Sequence, residues 1–165
     1  MSNQERHRKI YIASSWKNEK AVKELAATLR LEGHKVFDFT DPINRPDGLD
    51  HFCFNGNTWS HGPLTEMDYI DFLQYPETKR AFKVDRSGLD WADTVILLLP
   101  SGHSSHLEAG YGVGRGKELF IYGNLPRGEF DTMYGFAKAC FVLGDEFGLF
   151  KALSVHAQLK TEVKP

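Results

Sequence analysis

The segment Asp93-Thr94-Val95-Ile96-Leu97-Leu98-Leu99-Pro100 constrains the fold more than any other part of the chain. The six residues between Asp93 and Pro100 are aliphatic or small and show no polar alternation. That is the pattern of a strand covered on both faces, and so of a central strand in a parallel α/β sheet. The residues that follow, Ser101-Gly102-His103-Ser104-Ser105-His106-Leu107-Glu108-Ala109-Gly110, read as a small polar loop entering a helix. Open α/β sheets bind ligands beyond the carboxyl ends of their strands. Glu108 therefore stands where such a fold does its chemistry, beside the hydroxyls of Ser101, Ser104 and Ser105 and the flexible Gly102.

The rest of the chain repeats this alternation of strand and helix. Ile10 to Ala13 is a short apolar strand, and Ser14-Ser15 is placed to cap a helix in which Val22, Leu25, Ala26 and Leu29 recur at helical spacing. Gly33 ends that helix, and His34 to Phe39 forms a second strand. Leu64 to Phe82 carries mixed helical signals broken by Pro76, and Val84 to Trp91 reads as a short helix leading into the strand Thr94 to Leu99. A helix over Ser104 to Gly116, a strand over Glu118 to Tyr122, a short helix over Phe130 to Phe136, a strand over Lys138 to Leu143 and a closing helix from Asp145 to about Lys160 complete the pattern. Leu149, Phe150, Leu153 and His156 mark the inner face of the closing helix. The expected architecture is a three-layer α/β fold with about five parallel strands, in one domain spanning 1–165. Asp41 to about Pro63 is rich in Pro, Gly, Asn and Asp and reads as a long irregular loop. Long loops in compact domains are commonly functional, and this one is a candidate lid carrying Phe52, Phe54 and Trp59.

Composition narrows the function classes. With 165 residues, a net charge of −2 and no basic block, the chain lacks the clustered Lys and Arg that neutralise phosphates, so a nucleic-acid polymer is not an expected partner. It has no apolar run of about 18 residues, and Met1 to Lys9 lacks the apolar core of a signal peptide, so neither a membrane partner nor export is expected. Cys53 and Cys140 have no metal-type spacing. The simplest reading is a reduced cytoplasmic protein.

Several motifs have a bland reading beside a chemical one. Ser105-His-Leu-Glu108 matches a capping box, with Ser105 as N-cap and Glu108 three residues later. A carboxylate at a helix N-terminus also has its charged form favoured, as a nucleophile requires. Asp85 reads either as a helix N-cap or as the second carboxylate of an acid pair with Glu108 that breaks a glycosidic bond. Asp90 and Asp93 read as solvated or capping. His103 and His106 are three apart, but no third ligand accompanies them, and no metal is expected. The glycines of Gly110-Tyr-Gly112-Val-Gly114-Arg-Gly116 come too late after the strand for a dinucleotide fingerprint. They read instead as close packing of helix on sheet. The loop aromatics Trp16, Tyr69, Tyr75 and Tyr111 read either as pocket walls for a flat ligand or as plugs beneath loops.

Three of these stretches, in this order, resemble the nucleoside 2-deoxyribosyltransferase family, including its 2'-deoxynucleoside 5'-phosphate N-hydrolase relatives. They are Ile10-Tyr11-Ile12-Ala13-Ser14-Ser15-Trp16, Asp85 with Asp93 eight residues on, and His106-Leu107-Glu108-Ala109-Gly110. The resemblance covers Lys9 to Phe141 and implies a flavodoxin-like fold. It implies that Glu108 attacks C1' of the sugar, that Asp85 contacts the base or assists its protonation, and that Tyr11 orients Glu108. Ser14 and Trp16 would belong to the substrate pocket, with Trp16 lining the base. It further implies a homodimer or higher homo-oligomer in which a neighbour completes each site, with Asp131-Thr132-Met133 as the neighbour-supplied segment. No cofactor is implied.

The implied substrate is a small nucleoside or nucleotide. Ser101, Gly102, Ser104 and Ser105 form a plausible phosphate loop at a helix N-terminus, which favours a 5'-monophosphate. Asp131 points the other way, because an aspartate repels phosphate where the nucleotide-cleaving relative has serine. Two further readings stay open: a TIR-like NAD glycohydrolase, which also uses a glutamate, and a non-catalytic nucleotide-binding module in which Glu108 only caps its helix.

Overall fold

A computed structural model describes residues 7–44 and 66–155. The candidate lid beyond Asn44, with Phe52, Cys53, Phe54 and Trp59, lies outside the described residues, as does His156. Strands β1 (Lys9–Ala13), β2 (Lys35–Phe37), β3 (Thr94–Leu99), β4 (Glu118–Gly123) and β5 (Ala139–Val142) form one sheet in the order β2-β1-β3-β4-β5. Every pairing is parallel. The helices are α1 (Glu19–Leu31), α2 (Glu66–Phe72), α3 (Pro76–Trp91), α4 (His103–Gly114) and α5 (Glu146–Ser154). This is the three-layer, flavodoxin-like architecture expected from the alternation of elements and from the resemblance.

Side chains alternate across the sheet and sort into two cores. On one face Ile10, Ile12, Ile96, Leu98, Phe120 and Tyr122 meet Val22, Leu25, Ala26 and Leu29 of α1 and Leu149 and Leu153 of α5. On the other, Tyr11, Ala13, Val95, Leu97, Leu99, Leu119 and Ile121 meet Leu89 and Ala92 at the end of α3 and Ala109 of α4. All six residues of β3 are buried, which explains its unbroken apolar run. Pro76 occupies the first turn of α3, where its missing N–H costs nothing. The expected helix over Val84 to Trp91 is thus the second half of a longer one.

The elements are tied at both ends of the sheet. At the amino edge, Arg8 is fully buried. Its guanidinium donates to the Leu153 carbonyl at 2.5 Å, to Thr94 Oγ1 at 2.9 Å, to the Val155 carbonyl at 3.2 Å and to Glu118. Asp93 sits at the same edge, accepting from the Lys9 N–H at 3.1 Å and from Thr94 Oγ1 at 2.7 Å. At the carboxyl edge the Tyr122 hydroxyl donates to Glu146 at the start of α5. Burial and that carboxylate push the Tyr122 phenol up to about 12, so it remains a donor.

Candidate functional site

Strand order alone marks the place for a ligand. From β1 the chain winds outward to β2 and then back across β1 to β3. The loops after β1 and β3 consequently diverge and open a crevice at the carboxyl edge between them. Ser14, Ser15 and Trp16 leave β1 there, and Pro100, Ser101 and Gly102 leave β3.

Two corrections to local structure change how the carboxylates are held. The N-cap of α4 is Gly102, with no side-chain cap bond, so Ser105 is the third helical residue and Glu108 the sixth. The capping box is not formed. Ser105 is buried instead, because the helix needs a small residue where it lies on the sheet. The helix dipole acts mainly on the first turn, so Glu108 stands one turn deeper than the box placed it. Asp85, likewise, is no N-cap. It lies in the interior of α3, four residues after Ala81 and three and four before Gly88 and Leu89, all three buried. Helical spacing puts Asp85 on the sheet-facing side of α3. On α4, Glu108 lies three residues after Ser105 and four before Gly112, the buried stripe of that helix. Both carboxylates are half-buried.

Tyr11 lies beneath these two helices. It is fully buried and belongs to the core that α3 and α4 cover. Its ring stacks on Phe37 at 5.1 Å, with the planes 10° apart. A Cβ on Gly88 would sit 2.7 Å from the Phe37 ring, so the absence of a side chain lets α3 settle on this stack. Gly112 serves α4 similarly, since a Cβ there would meet Val95 at 2.7 Å. Of the four glycines read as packing residues, Gly112 alone has this role; at Gly110, Gly114 and Gly116 a Cβ would meet nothing within 4 Å.

The remaining candidates are spread more widely. Ser14 donates to the Leu98 carbonyl at 2.8 Å and accepts from Asn18 Nδ2 at 3.2 Å, which locks the β1 loop against β3. Ser15 caps the 3-10 turn Trp16–Asn18 rather than α1 itself. Trp16 is half-buried and meets Phe39 edge to face at 5.0 Å. Ser101 Oγ is buried with no hydrogen-bond partner among the described residues, while Gly102 and Ser104 are exposed. Asp131 and Met133 are exposed on the 3-10 turn Thr132–Phe136, where Asp131 Oδ1 accepts from the Met133 N–H at 2.8 Å. Tyr111 donates to Asp90 at 2.6 Å, a bridge between α4 and α3 rather than a pocket wall.

His106 has a role that its sequence reading missed. Its Nδ1 lies 2.9 Å from the Gly102 carbonyl and its Nε2 3.1 Å from the Tyr134 hydroxyl. The available signal was a histidine four residues after a helix-opening glycine. Among the described residues no group of three or more His, Cys, Asp or Glu is placed to hold a metal ion. Among the same residues no helix is long and apolar enough to cross a membrane.

Solved structures of two enzymes share this architecture. The chain is similar to a 2-deoxyribosyltransferase from Bacillus psychrosaccharolyticus, with a TM-score of 0.57 and 21% identity over 91% of this chain and 98% of that one. It is also similar to the CMP N-glycosidase BcmB of Clostridium botulinum, with a TM-score of 0.50 and 12% identity over 88% of this chain and 98% of that one. No family profile matches the sequence, and no curated protein matches it significantly. At these identities the likeness establishes the fold.

Proposed function

We propose that this chain cleaves the N-glycosidic bond of a nucleoside or nucleoside 5'-monophosphate through a covalent glycosyl-glutamate. The observation that carries the reading is that α3, which bears Asp85, and α4, which bears Glu108, cover the same sheet face, the one that buries Tyr11, next to the switch point between β1 and β3. Support comes from the two fold neighbours, one an N-glycosidase and the other a deoxyribosyltransferase.

In this reading the Glu108 carboxylate attacks C1' as the bond to the base breaks, with Tyr11 orienting the carboxylate. The electron pair of the C1'–N bond leaves with the base, whose protonation Asp85 assists. Water, or a second base, then attacks C1' and releases Glu108. Two displacements at one carbon give net retention. Trp16 offers a flat wall to the base. Ser101, Gly102 and Ser104, at the start of α4, face the 5' end of the sugar. Asp131 and Met133 reach the site of a second copy, so the working unit is a homodimer or larger. The exposure of Phe130 at 92% and of Met133 and Phe136 at 58% each supports that apolar contact. A monomer in sedimentation at working concentration would remove the oligomer from the reading.

The test is release of free base, by chromatography, from 2'-deoxynucleosides, their 5'-monophosphates, ribonucleotides including cytidine 5'-monophosphate, and NAD. Wild type and Glu108→Ala are run side by side, with and without an added acceptor base. Release that disappears in a folded Glu108→Ala supports the reading, and base exchange separates transfer from hydrolysis. Release of nicotinamide from NAD alone would replace it with the NAD-cleaving alternative. No release from any compound overturns it.

A further inference from the structure

One imidazole joins the turn that the proposed function places at this chain's own substrate to the segment that it lends to a second copy. His106, in the first turns of α4, folds back so that Nδ1 lies 2.9 Å from the Gly102 carbonyl. The backbone bond to the same carbonyl, from the His106 N–H, is long at 3.4 Å. The side chain thus reinforces the weak first hydrogen bond of the helix and holds the Ser101–Gly102 turn. On its other side Nε2 lies 3.1 Å from the hydroxyl of Tyr134, and the two rings lie 5.9 Å apart, 17° from parallel. Tyr134 belongs, with Met133, to the 3-10 turn that Asp131 caps.

The chemistry of the partners fixes the proton. A carbonyl oxygen only accepts, so Nδ1 must carry a hydrogen. In the neutral ring Nε2 is then the acceptor and the Tyr134 hydroxyl the donor. In the imidazolium Nε2 donates and the phenol oxygen accepts. A hydroxyl can play either part, so both bonds survive protonation of the ring. Burial, with Asp131 nearby, raises the Tyr134 phenol above its ordinary value and keeps it a hydroxyl.

We propose that His106 is a positioning residue that latches the Ser101–Gly102 turn of this chain's own site to the Asp131–Met133 segment that the same chain lends to a second copy, and so sets where the 5' end of the substrate lies in both. The inference rests on the glycosidic reading, and its test separates the two. Tyr134→Phe keeps the ring stack and removes the hydroxyl. His106→Asn keeps a donor for the Gly102 carbonyl and loses the reach to Tyr134. Each is expected to raise KM for the preferred compound of the base-release panel about tenfold, the value of one hydrogen bond, with kcat within about twofold. Because both changes cut the same bond, the double variant should rise no further than either single one. A role in stability alone would lower the active fraction, and hence apparent kcat, and leave KM in place. Unchanged KM in both folded variants, or effects that multiply in the double variant, would overturn the latch.

If wild type releases no base from any compound, the glycosidic reading fails and the latch is still measured directly. Nitrogen-15 NMR of the His106 ring should then show the Nδ1–H tautomer, with the Nε2 resonance moving in Tyr134→Phe. An Nε2–H tautomer, or an Nε2 resonance indifferent to Tyr134→Phe, would overturn it.

Discussion

Tyr11 and Phe37 stand opposite each other on the paired strands β1 and β2 and stack 5.1 Å apart, nearly parallel. Phe37 also fills the space that a side chain on Gly88 would need. One aromatic ring therefore sets both the position of Tyr11 and the seat of α3, three residues beyond Asp85 on that helix.

Gly88→Ala tests this seat. In an exposed helix the change would stabilise, since alanine is the better helix former. Here the methyl group would meet a ring at 2.7 Å, and overpacking a core site costs roughly 1–3 kcal/mol. A lower melting temperature is expected, together with loss of base release as α3 and Asp85 lift from the sheet. Unchanged stability and activity would show that Phe37 yields without moving the helix.

Tyr11→Phe separates packing from chemistry. The ring stack on Phe37 survives, so the melting temperature should stay within a few degrees. Base release should fall roughly tenfold to a hundredfold, the range for a lost orienting hydrogen bond near the reacting group. Full activity in Tyr11→Phe would remove the tyrosine from the reaction.

Much of this arrangement was legible in the chain. The unbroken run Thr94 to Leu99 identified the central strand because burial on both faces leaves no polar alternation. Periodicity in Val22, Leu25, Ala26 and Leu29 identified the inner face of α1. What sequence could not resolve was which residue opens each helix. Ser105 and Asp85 are good caps by type, yet tertiary packing placed both inside helices, where Ser105 lies against the sheet and Asp85 turns toward it. The buried Arg8 was equally hidden. A charged residue just before a strand reads as solvated until Thr94, Glu118 and the end of α5 are brought around it. The sequence excludes a metal pair of His106 with His103 but leaves His106 without a role, because its partner Tyr134 lies 28 residues away.

Asp131→Ser bears on the substrate. Serine can still cap the 3-10 turn by accepting from the Met133 N–H, as Asp131 does at 2.8 Å. The turn should persist while the negative charge goes. If Asp131 excludes phosphate, the ratio of kcat/KM for a 5'-monophosphate over its nucleoside should rise about tenfold or more, as expected from removing a like charge near an anion. An unchanged ratio would show that Asp131 does not face the 5' end.

The amino edge of the sheet predicts an acid-labile fold with two separable steps. His34 is buried and its Nδ1 accepts from the Arg8 N–H at 3.1 Å. Burial, and then the Arg8 charge, lower its pKa from 6.5. The folded state thus binds a proton less readily than the unfolded chain, so stability is full above about 6.5 and falls as pH drops toward the depressed value. For Glu118, partial burial pushes the carboxyl up, but hydrogen bonds from Lys138 and Arg8 outweigh it and hold it below 4.5. Its contribution is present above about 4.5 and disappears as pH falls through the folded value. Melting temperature against pH should accordingly begin to decline below about 6.5 and steepen below about 4.5. His34→Asn, which keeps an acceptor for the Arg8 N–H, should flatten the first step alone. Glu118→Gln should flatten the second while lowering stability at neutral pH, since Arg8 then keeps its buried charge without a counter-charge. A single step that both variants leave unchanged would locate the acid sensitivity elsewhere in the fold.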